Sequence, residues 1–400
     1  MMKKTWFLIS IIFFSLSSQV RSEAIPYGPW RFELEMKYAK IPFIIEFSQK
    51  DKKLLGTLKN GEESITLDNI EHQGKSVSIP LGPYEVSLEL KQESATRLSG
   101  HLIKHNRNPK VLLPVTGVAG SPHRFITDKK PTALSLTGKW AVTLEHSPNG
   151  QDPGVIVFQQ KGNNLSGSIL TPTGDYRYLE GYISGNEFEA ASFDGVYNYL
   201  LKGSVKDGKL QASLLSNSIT KIEGKFDKNA QLPDAYKQTQ LNSLSFTFPN
   251  LNGEGISLSD PKFKNKPVII QFFGSWCPNC IDEMNYLIPW YQSNKDRGIE
   301  IIALAFELSQ NEALAKKQLM KVQKKYTIPY PLLLAGSTSS DKPMEKIPGL
   351  KNFKSFPTTV YLNKKHQVVK VHAGFTGPST GEFYENWKKE FNQTVNELLK

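Results

Sequence analysis

The sequence predicts a multidomain protein in which an all-β amino-terminal region, an internally duplicated barrel or sandwich, is followed by a carboxy-terminal α/β domain. Three observations predict this division. Short runs of alternating polar and apolar residues, separated by turn-forming pairs, fill residues 25–230. Similar residues recur within this region at an offset of about 110. Beyond residue 243, continuous apolar runs alternate with segments of helical character.

The first 24 residues have the pattern of a secretory signal peptide. Lys3 and Lys4 precede an apolar run over residues 6–16, serines follow the run, and Val20, Ser22 and Ala24 offer candidate cleavage sites. The run is shorter than the ~20 residues that span a bilayer. We therefore expect an exported protein, located in the periplasm, without a transmembrane segment after cleavage of the leader. Anchoring to the membrane by an uncleaved leader is the alternative.

The composition indicates folded domains with a basic surface. Hydrophobic residues make up 39% of the chain and charged residues 22%, which suffices for packed cores. The formal net charge is +11, but the lysines are scattered and form no dense run. A solvated surface explains this pattern, and we expect no nucleic-acid partner.

The strand-rich region is predicted to consist of two copies, over residues 25–128 and 134–230. Equivalent residues recur at offsets of 110 to 112, namely Trp30 and Trp140, Gly56 and Gly167, Gly74 and Gly185, and Leu98 and Leu210. Two small barrels or sandwiches would fit this pattern, and so would one closed barrel made of two halves.

A polar linker is predicted over residues 231–242, and the α/β domain over residues 243–400. Its first strand, over residues 268–273, is a continuous apolar run of the kind that is buried on both faces of a sheet. The remaining segments are assigned by their periodicity, with strands at 300–306, 330–334, 358–362 and 367–372 and helices at 280–292, 311–326 and 382–399.

The chain has two cysteines, Cys277 and Cys280, which follow the first apolar strand at the start of a predicted helix. Free N–H groups and the helix dipole stabilise a thiolate at such a position. We therefore predict that Cys277 is an exposed nucleophile and that Cys280 is the resolving thiol of a redox-active disulfide. A zinc site would need more ligands, so no metal is expected. A purely structural disulfide is the remaining alternative.

Further residues around the cysteine pair match a known family. They are Phe246-Thr247-Phe248-Pro249, the apolar strand 268–273, Trp276-Cys277-Pro278-Asn279-Cys280, Glu283, Phe356-Pro357-Thr358-Thr359 and Gly374-Phe375. In this order and spacing, residues 244–399 resemble the thioredoxin superfamily and, within it, the TlpA/ResA-type periplasmic disulfide reductases. The resemblance implies a thioredoxin fold and thiol–disulfide exchange that needs no metal or organic cofactor.

The resemblance also implies the roles of other site residues. Pro357 takes the place of the family's cis-proline, and with Phe356 and Trp276 it would contact the substrate. Glu283, one helical turn after Cys280, would act as a general acid/base. Thioredoxins have a buried acid six residues before the first cysteine, where this chain has Gln271, and this favours Glu283 for the proton transfer.

We therefore expect a protein-disulfide reductase. An upstream thiol reductant would reduce the Cys277–Cys280 pair, which would then reduce the disulfides of exported client proteins. The alternative is a ligand- or partner-binding envelope protein whose β-rich region holds the ligand and whose thioredoxin-like domain is an accessory module.

Overall fold

The computed structural model describes residues 24–107, 109–125, 128–146, 150–236, 243–338, 345, 347 and 353–400. Residues 1–23 of the predicted leader and residues 237–242 of the predicted linker lie outside the described residues. The described chain forms two antiparallel sheets, here called the first and second β units, and an α/β domain. Within these described ranges, no helix combines the length and the apolar character that crossing a membrane requires.

The first β unit has nine strands among the described residues. They are β1 (Gly28–Glu35), β2 (Lys40–Lys50), β3 (Lys53–Asn60), β4 (Glu63–Leu67), β5 (Glu71–Gln73), β6 (Ser76–Pro80), β7 (Val86–Ser94), β8 (Arg97–Lys104) and β9 (Val111–Ala119). The sheet order is β4-β3-β2-β1-β9-β8-β7-β6-β5. Alternate residues of β1, beginning with Trp30, face the core, as a half-buried strand requires.

The second β unit also has nine strands in the described part of the chain. They are β10 (Gly138–His146), β11 (Gly150–Lys161), β12 (Asn164–Thr171), β13 (Gly174–Asp175), β14 (Leu179–Ser184), β15 (Glu187–Phe193), β16 (Asn198–Lys206), β17 (Lys209–Leu215) and β18 (Ile219–Phe226). Pairing of β12 with both β11 and β14 closes this sheet into a barrel. Buried side chains that include Trp140, Phe158 and Phe188 fill its interior.

The duplication predicted from the sequence is confirmed. Both units contain the same number of strands in the same order, and the two tryptophans have equivalent partners. Trp30 Nε1 donates a hydrogen bond to Pro26 O at 3.0 Å, and Trp140 Nε1 donates to Leu136 O at 2.9 Å. The alternative of one closed barrel made of two halves is wrong, because the two sheets share no strand pairing within the described ranges.

The two β units pack directly on one another. Phe43 of β2 stacks on Phe193 of β15, with ring centroids 3.6 Å apart. The buried Arg124 guanidinium donates to Lys59 O of the first unit and to Ala191 O of the second, both at 2.6 Å. The β-rich region is therefore one packed body made of two similar sheets.

The α/β domain has the thioredoxin-like arrangement that the sequence implies. Its described elements are β19 (Thr247–Pro249), β20 (Gly255–Ser257), β21 (Val268–Phe273), α1 (Pro278–Asn294), β22 (Glu300–Glu307), α2 (Glu312–Tyr326), β23 (Leu332–Ser337), β24 (Thr358–Leu362), β25 (Val368–Ala373) and α3 (Glu382–Leu399), with short 3₁₀ turns at Lys295–Arg297 and Pro378–Thr380. The central sheet has the order β23-β22-β21-β24-β25, in which β24 alone among these five strands runs in the opposite direction, antiparallel to both β21 and β25.

The buried central strand β21 determines where the cysteine motif lies. Every residue of β21 is buried, which explains its continuous apolar run. The chain leaves β21 at Gly274 and enters α1 four residues later. Tyr236 of the predicted linker also lies in the core of this domain, where its hydroxyl accepts a hydrogen bond from Lys354 N at 3.0 Å.

Candidate active site

Cys277 and Cys280 form a disulfide at the amino-terminal end of α1. Cys277 is the N-cap residue, and its Sγ accepts a hydrogen bond from Cys280 N at 3.2 Å. Pro278 occupies the first turn, where the N–H group that proline lacks is not needed. In the reduced protein, the same N–H group and the helix dipole would favour the Cys277 thiolate.

The prediction that Cys277 is exposed is wrong. Its exposed fraction is 2%, and that of Cys280 is 0%. Part of the second β unit lies against this end of α1. Asn279, inside the motif, donates from Nδ2 to Asp175 O of that unit at 2.8 Å.

The loop that carries Pro357 lies beside the disulfide, as the resemblance implies. The Phe356–Pro357 peptide bond is cis, and Phe356 O lies 3.7 Å from Cys277 Sγ. Gly374, which directly follows β25, donates from its backbone N to Pro357 O at 2.8 Å. The fold thus brings together two segments that are about 80 residues apart in sequence.

Trp276 and Phe356 form an aromatic pair at the edge of the site. Trp276 is half-buried, and its Nε1 donates to Phe306 O at 2.9 Å. Its ring packs edge-to-face against that of Phe356, with centroids 5.6 Å apart. The hydrogen bond fixes the indole, so the two rings present a defined apolar surface next to Cys277.

Glu283 is fully buried one turn after Cys280. Its carboxylate accepts hydrogen bonds from Thr359 Oγ1 at 2.6 Å and from Gln271 Nε2 at 2.7 Å. Gln271 Nε2 also donates to Cys280 O at 3.3 Å. Burial raises the pKa of Glu283 to about 7, and the two hydrogen bonds only partly oppose this effect. The carboxyl group therefore titrates near neutral pH.

The sequence reasoning missed a second buried carboxyl group, Glu307 at the end of β22. It accepts hydrogen bonds from Ser275 N at 2.9 Å and from Ser275 Oγ at 2.6 Å. Burial raises the pKa of Glu307 to about 7. Glu307 thus holds the turn just before Trp276, and the sequence marks it only as an acid that directly follows the strand predicted at 300–306.

Sequence reasoning also missed Arg177, which joins both β units to helix α1. The guanidinium donates to Asp282 Oδ2 on α1 at 2.9 Å and to Asp194 Oδ2 of the second β unit at 2.6 Å. It also forms an ion pair with Glu63 of the first β unit. Glu63 and Asp282 lie 114 and 105 residues from Arg177 in the chain, so no local pattern could reveal the cluster.

The chemistry of this site is that of a single thiol–disulfide pair. Among the described residues, no group of three or more His, Cys, Asp or Glu side chains is placed to hold a metal ion. A pair of cysteines that can form a disulfide is what exchange between a dithiol and a disulfide requires, and the cis-proline loop and the buried carboxyl group of Glu283 lie around it.

Comparisons with known proteins agree with this geometry. Residues 233–384 match the Redoxin family model. The chain is 30% identical to the thiol-disulfide oxidoreductase ResA of Halalkalibacterium halodurans over 149 residues, which are 37% of this chain and 76% of that protein. Its identity to ResA of Bacillus subtilis is 30% over 142 residues, 36% of this chain and 71% of that one.

Among solved structures, a putative thiol:disulfide interchange protein DsbE from Chlorobium tepidum is 19% identical, with a TM-score of 0.31. The match covers 41% of this chain and 100% of that one. The ResA matches extend over most of the length of those proteins. The chain therefore belongs to the TlpA/ResA-type thiol-disulfide oxidoreductases of the thioredoxin superfamily.

Proposed function

We propose that this oxidoreductase reduces the disulfides of exported client proteins, with Cys277 as the nucleophile and Cys280 as the resolving thiol. One observation above all supports these roles. Cys277 Sγ accepts the helix N–H of Cys280 and lies beside the cis-proline loop. Of the two sulfurs, that of Cys277 is thus the one stabilised as an anion at the helix start.

The exchange takes place in two steps that together move two electrons and two protons. The Cys277 thiolate attacks a client disulfide, the client S–S bond breaks, and one client sulfur leaves as a thiolate that takes up a proton. Deprotonated Cys280 then attacks Cys277 Sγ of the mixed disulfide. The Cys277–Cys280 bond forms, and the second client sulfur leaves and is protonated. An upstream thiol reductant restores the dithiol by the reverse exchange.

Glu283 is proposed to accept the proton of Cys280. A buried thiol is a poor nucleophile until it is deprotonated, and a group that titrates near the working pH is an efficient proton acceptor. Glu283 has a pKa of about 7 and lies one helical turn from Cys280. Trp276, Phe356 and Pro357 are proposed to contact the client chain.

The proposal includes export to the periplasm with removal of the leader. The charged, apolar and small residues that follow one another in residues 1–24 support it, as does the single cysteine pair. The domain boundaries predicted above, with β-rich copies over residues 25–128 and 134–230 and a thioredoxin-like domain over 243–400, are part of the same proposal.

An insulin-reduction assay with dithiothreitol as the electron source tests the proposal. We expect the wild-type protein to accelerate insulin reduction and Cys277→Ser to lose that acceleration, because the attacking thiolate is absent. Cys280→Ala should accumulate mixed disulfides, visible on gels after alkylation, because the client cannot be released. Ser293→Ala, an exposed change on the same helix, is the matched control.

Equal rates for the wild type and Cys277→Ser would overturn the proposal. The direction of the reaction has its own test, since a reductase should have a reduction potential more negative than that of glutathione. A more positive value, measured by equilibration with glutathione, would indicate an oxidase instead.

A further inference from the structure

A turn of the second β unit lies against the cis-proline loop. Residues 171–175, here called the 171–175 turn, comprise the last residue of β12, the two residues that connect it to β13, and β13 itself. A Cβ atom on Gly374 would lie 2.2 Å from Thr173 C and 2.3 Å from Gly174 N, so the two backbones are in direct contact. Gly374 is also the residue that hydrogen-bonds Pro357 O. The turn therefore reaches the backbone that positions the cis-proline.

Asp175 attaches this turn to both sides of the active site. Its backbone O accepts the hydrogen bond from Asn279, between the two cysteines. Its carboxylate accepts Gly377 N from the loop after β25 at 2.6 Å, and Arg177 N within its own unit at 2.6 Å. The side chain of Asp175 is buried, so these contacts are shielded from water.

Arg177, two residues after Asp175, joins the turn to helix α1. Its backbone has φ 60°, a left-handed conformation that is uncommon for residues other than glycine, and the Asp175 carboxylate stabilises it. Its side chain is 3% exposed and joins Asp282 of α1 to Asp194 and Glu63. Removing the cation would leave three carboxyl groups facing one another without their shared partner, which is strongly unfavourable at a buried position.

The surface around the disulfide is correspondingly inaccessible. Cys277 is 2% exposed, and Pro278, Asn279, Pro357 and Gly374 are all buried. An attack on a client disulfide needs the client sulfur in line with Cys277 Sγ, and a protein client needs room for the chain on either side. The closed arrangement leaves no such room.

We propose that the 171–175 turn determines which clients the enzyme accepts, and that the ion pairs of Arg177 hold the turn in its closed position. The turn occupies the place beside Pro357 and Asn279 that an extended client segment would take. A client must therefore displace the turn and replace its backbone contacts before Cys277 can react. This inference rests on the proposed function, the reduction of protein clients. The accessibility of Cys277 behind the turn can nevertheless be measured without any client.

The test measures how fast the reduced protein is labelled by a maleimide carrying a long polyethylene glycol chain, compared with iodoacetamide. In the wild type, Cys277 should react slowly with the bulky reagent relative to the same protein unfolded in urea. Arg177→Met should accelerate bulky labelling by about tenfold or more, because truncating one partner of a buried charge cluster shifts the closed–open equilibrium by at least that factor. Arg177→Lys, which keeps the charge, should fall between the two.

Lys202→Met is the matched control, since it breaks an ion pair with Glu189 in the same β unit away from the turn. It should label like the wild type. The number of labels identifies a misfolded variant, because opening exposes Cys277 alone whereas unfolding exposes both cysteines. If Arg177→Met takes two labels, the test uses Arg177→Lys instead. The inference is overturned if the variant that takes one label reacts with the bulky reagent at the wild-type rate.

Insulin reduction by the same variants separates this inference from the proposed function. If labelling follows the variants but none of them reduces insulin, the turn covers Cys277 and the client-reducing function is wrong. If the wild type reduces insulin and takes the bulky label as fast as Arg177→Met, the function stands and the turn is not a barrier.

Discussion

The Glu283 carboxyl group is held inside the protein by two neutral hydrogen-bond donors, Thr359 and Gln271. Each donor favours the ionised form, and burial opposes it more strongly. The same group is therefore suited to proton transfer and unfavourable for stability when ionised. A buried catalytic carboxyl group commonly combines these two properties.

Replacement of Glu283 by Gln should change how stability depends on pH. The pKa of Glu283 is raised from 4.5 to about 7 in the folded protein. Its contribution to the free energy of unfolding is therefore greatest below pH 4.5 and is lost as the pH rises through 7. A shift of this size corresponds to about 3 kcal/mol at 1.36 kcal/mol per pKa unit. Glutamine does not titrate, so the stability of Glu283→Gln relative to the wild type should increase by about that amount across this range.

Urea unfolding of the oxidised proteins at several pH values measures this difference. Glu307 titrates in the same range, but it is present in both proteins and cancels in the comparison. A wild-type-to-variant difference that stays constant with pH would show that Glu283 does not have a raised pKa.

At this scale, the sequence predicted the positions that depend on a short motif. Cys277 at the helix start and the cis peptide bond before Pro357 follow from local pattern and resemblance. Asp175 and Arg177 could not be predicted, because their partners come from other parts of the chain. The burial of Cys277 was missed for the same reason, since the residues that contact its motif are about 100 positions away.

Among the elements, the two equivalent tryptophan strands offer an internal comparison. Trp30 in β1 and Trp140 in β10 are both buried and donate to the backbone carbonyl four residues earlier. Each indole thus joins the segment that precedes its strand to the core of its unit, through one hydrogen bond and a large apolar contact.

Trp30→Phe and Trp140→Phe should each lower the free energy of unfolding by about 1 to 3 kcal/mol, from the lost hydrogen bond and the cavity left by the smaller ring. Urea unfolding measures both, and Tyr27→Phe at an exposed position is the control. Since the two sites are equivalent, a large effect at one and none at the other would contradict the equivalence of the two units.

Helices and single strands followed from periodicity, but closure of the sheets did not. The continuous apolar run of β21 and the helix at Glu382–Leu399 were predicted from local sequence. The second sheet closes through pairing of β12 with β14, whereas the first has no pairing of β3 with β5 among its described residues. Both copies have similar local patterns, so the difference depends on contacts between strands that periodicity does not report.

For the whole molecule, the β units and the α/β domain share a contact whose two sides should open together. Arg177→Met should increase amide hydrogen exchange both in residues 171–175 and in residues 374–377, because each side protects the other. Mass spectrometry of peptic peptides measures both segments, with Lys202→Met as the control. Faster exchange confined to residues 171–175 would indicate local fraying of the turn rather than opening of the contact.

The duplication has a consequence for the history of this protein. By strand order, the turn between β3 and β4 is the counterpart of the 171–175 turn. Two copies of an ancestral unit cannot both occupy one reaction centre, so their symmetry had to be broken. In the first copy, Gly61 N instead donates to Glu180 of the second copy, and Glu63 pairs with Arg177 of the second copy. The two counterpart turns accordingly differ in sequence, with Asn60-Gly61-Glu62-Glu63 in one copy and Thr171-Pro172-Thr173-Gly174 in the other.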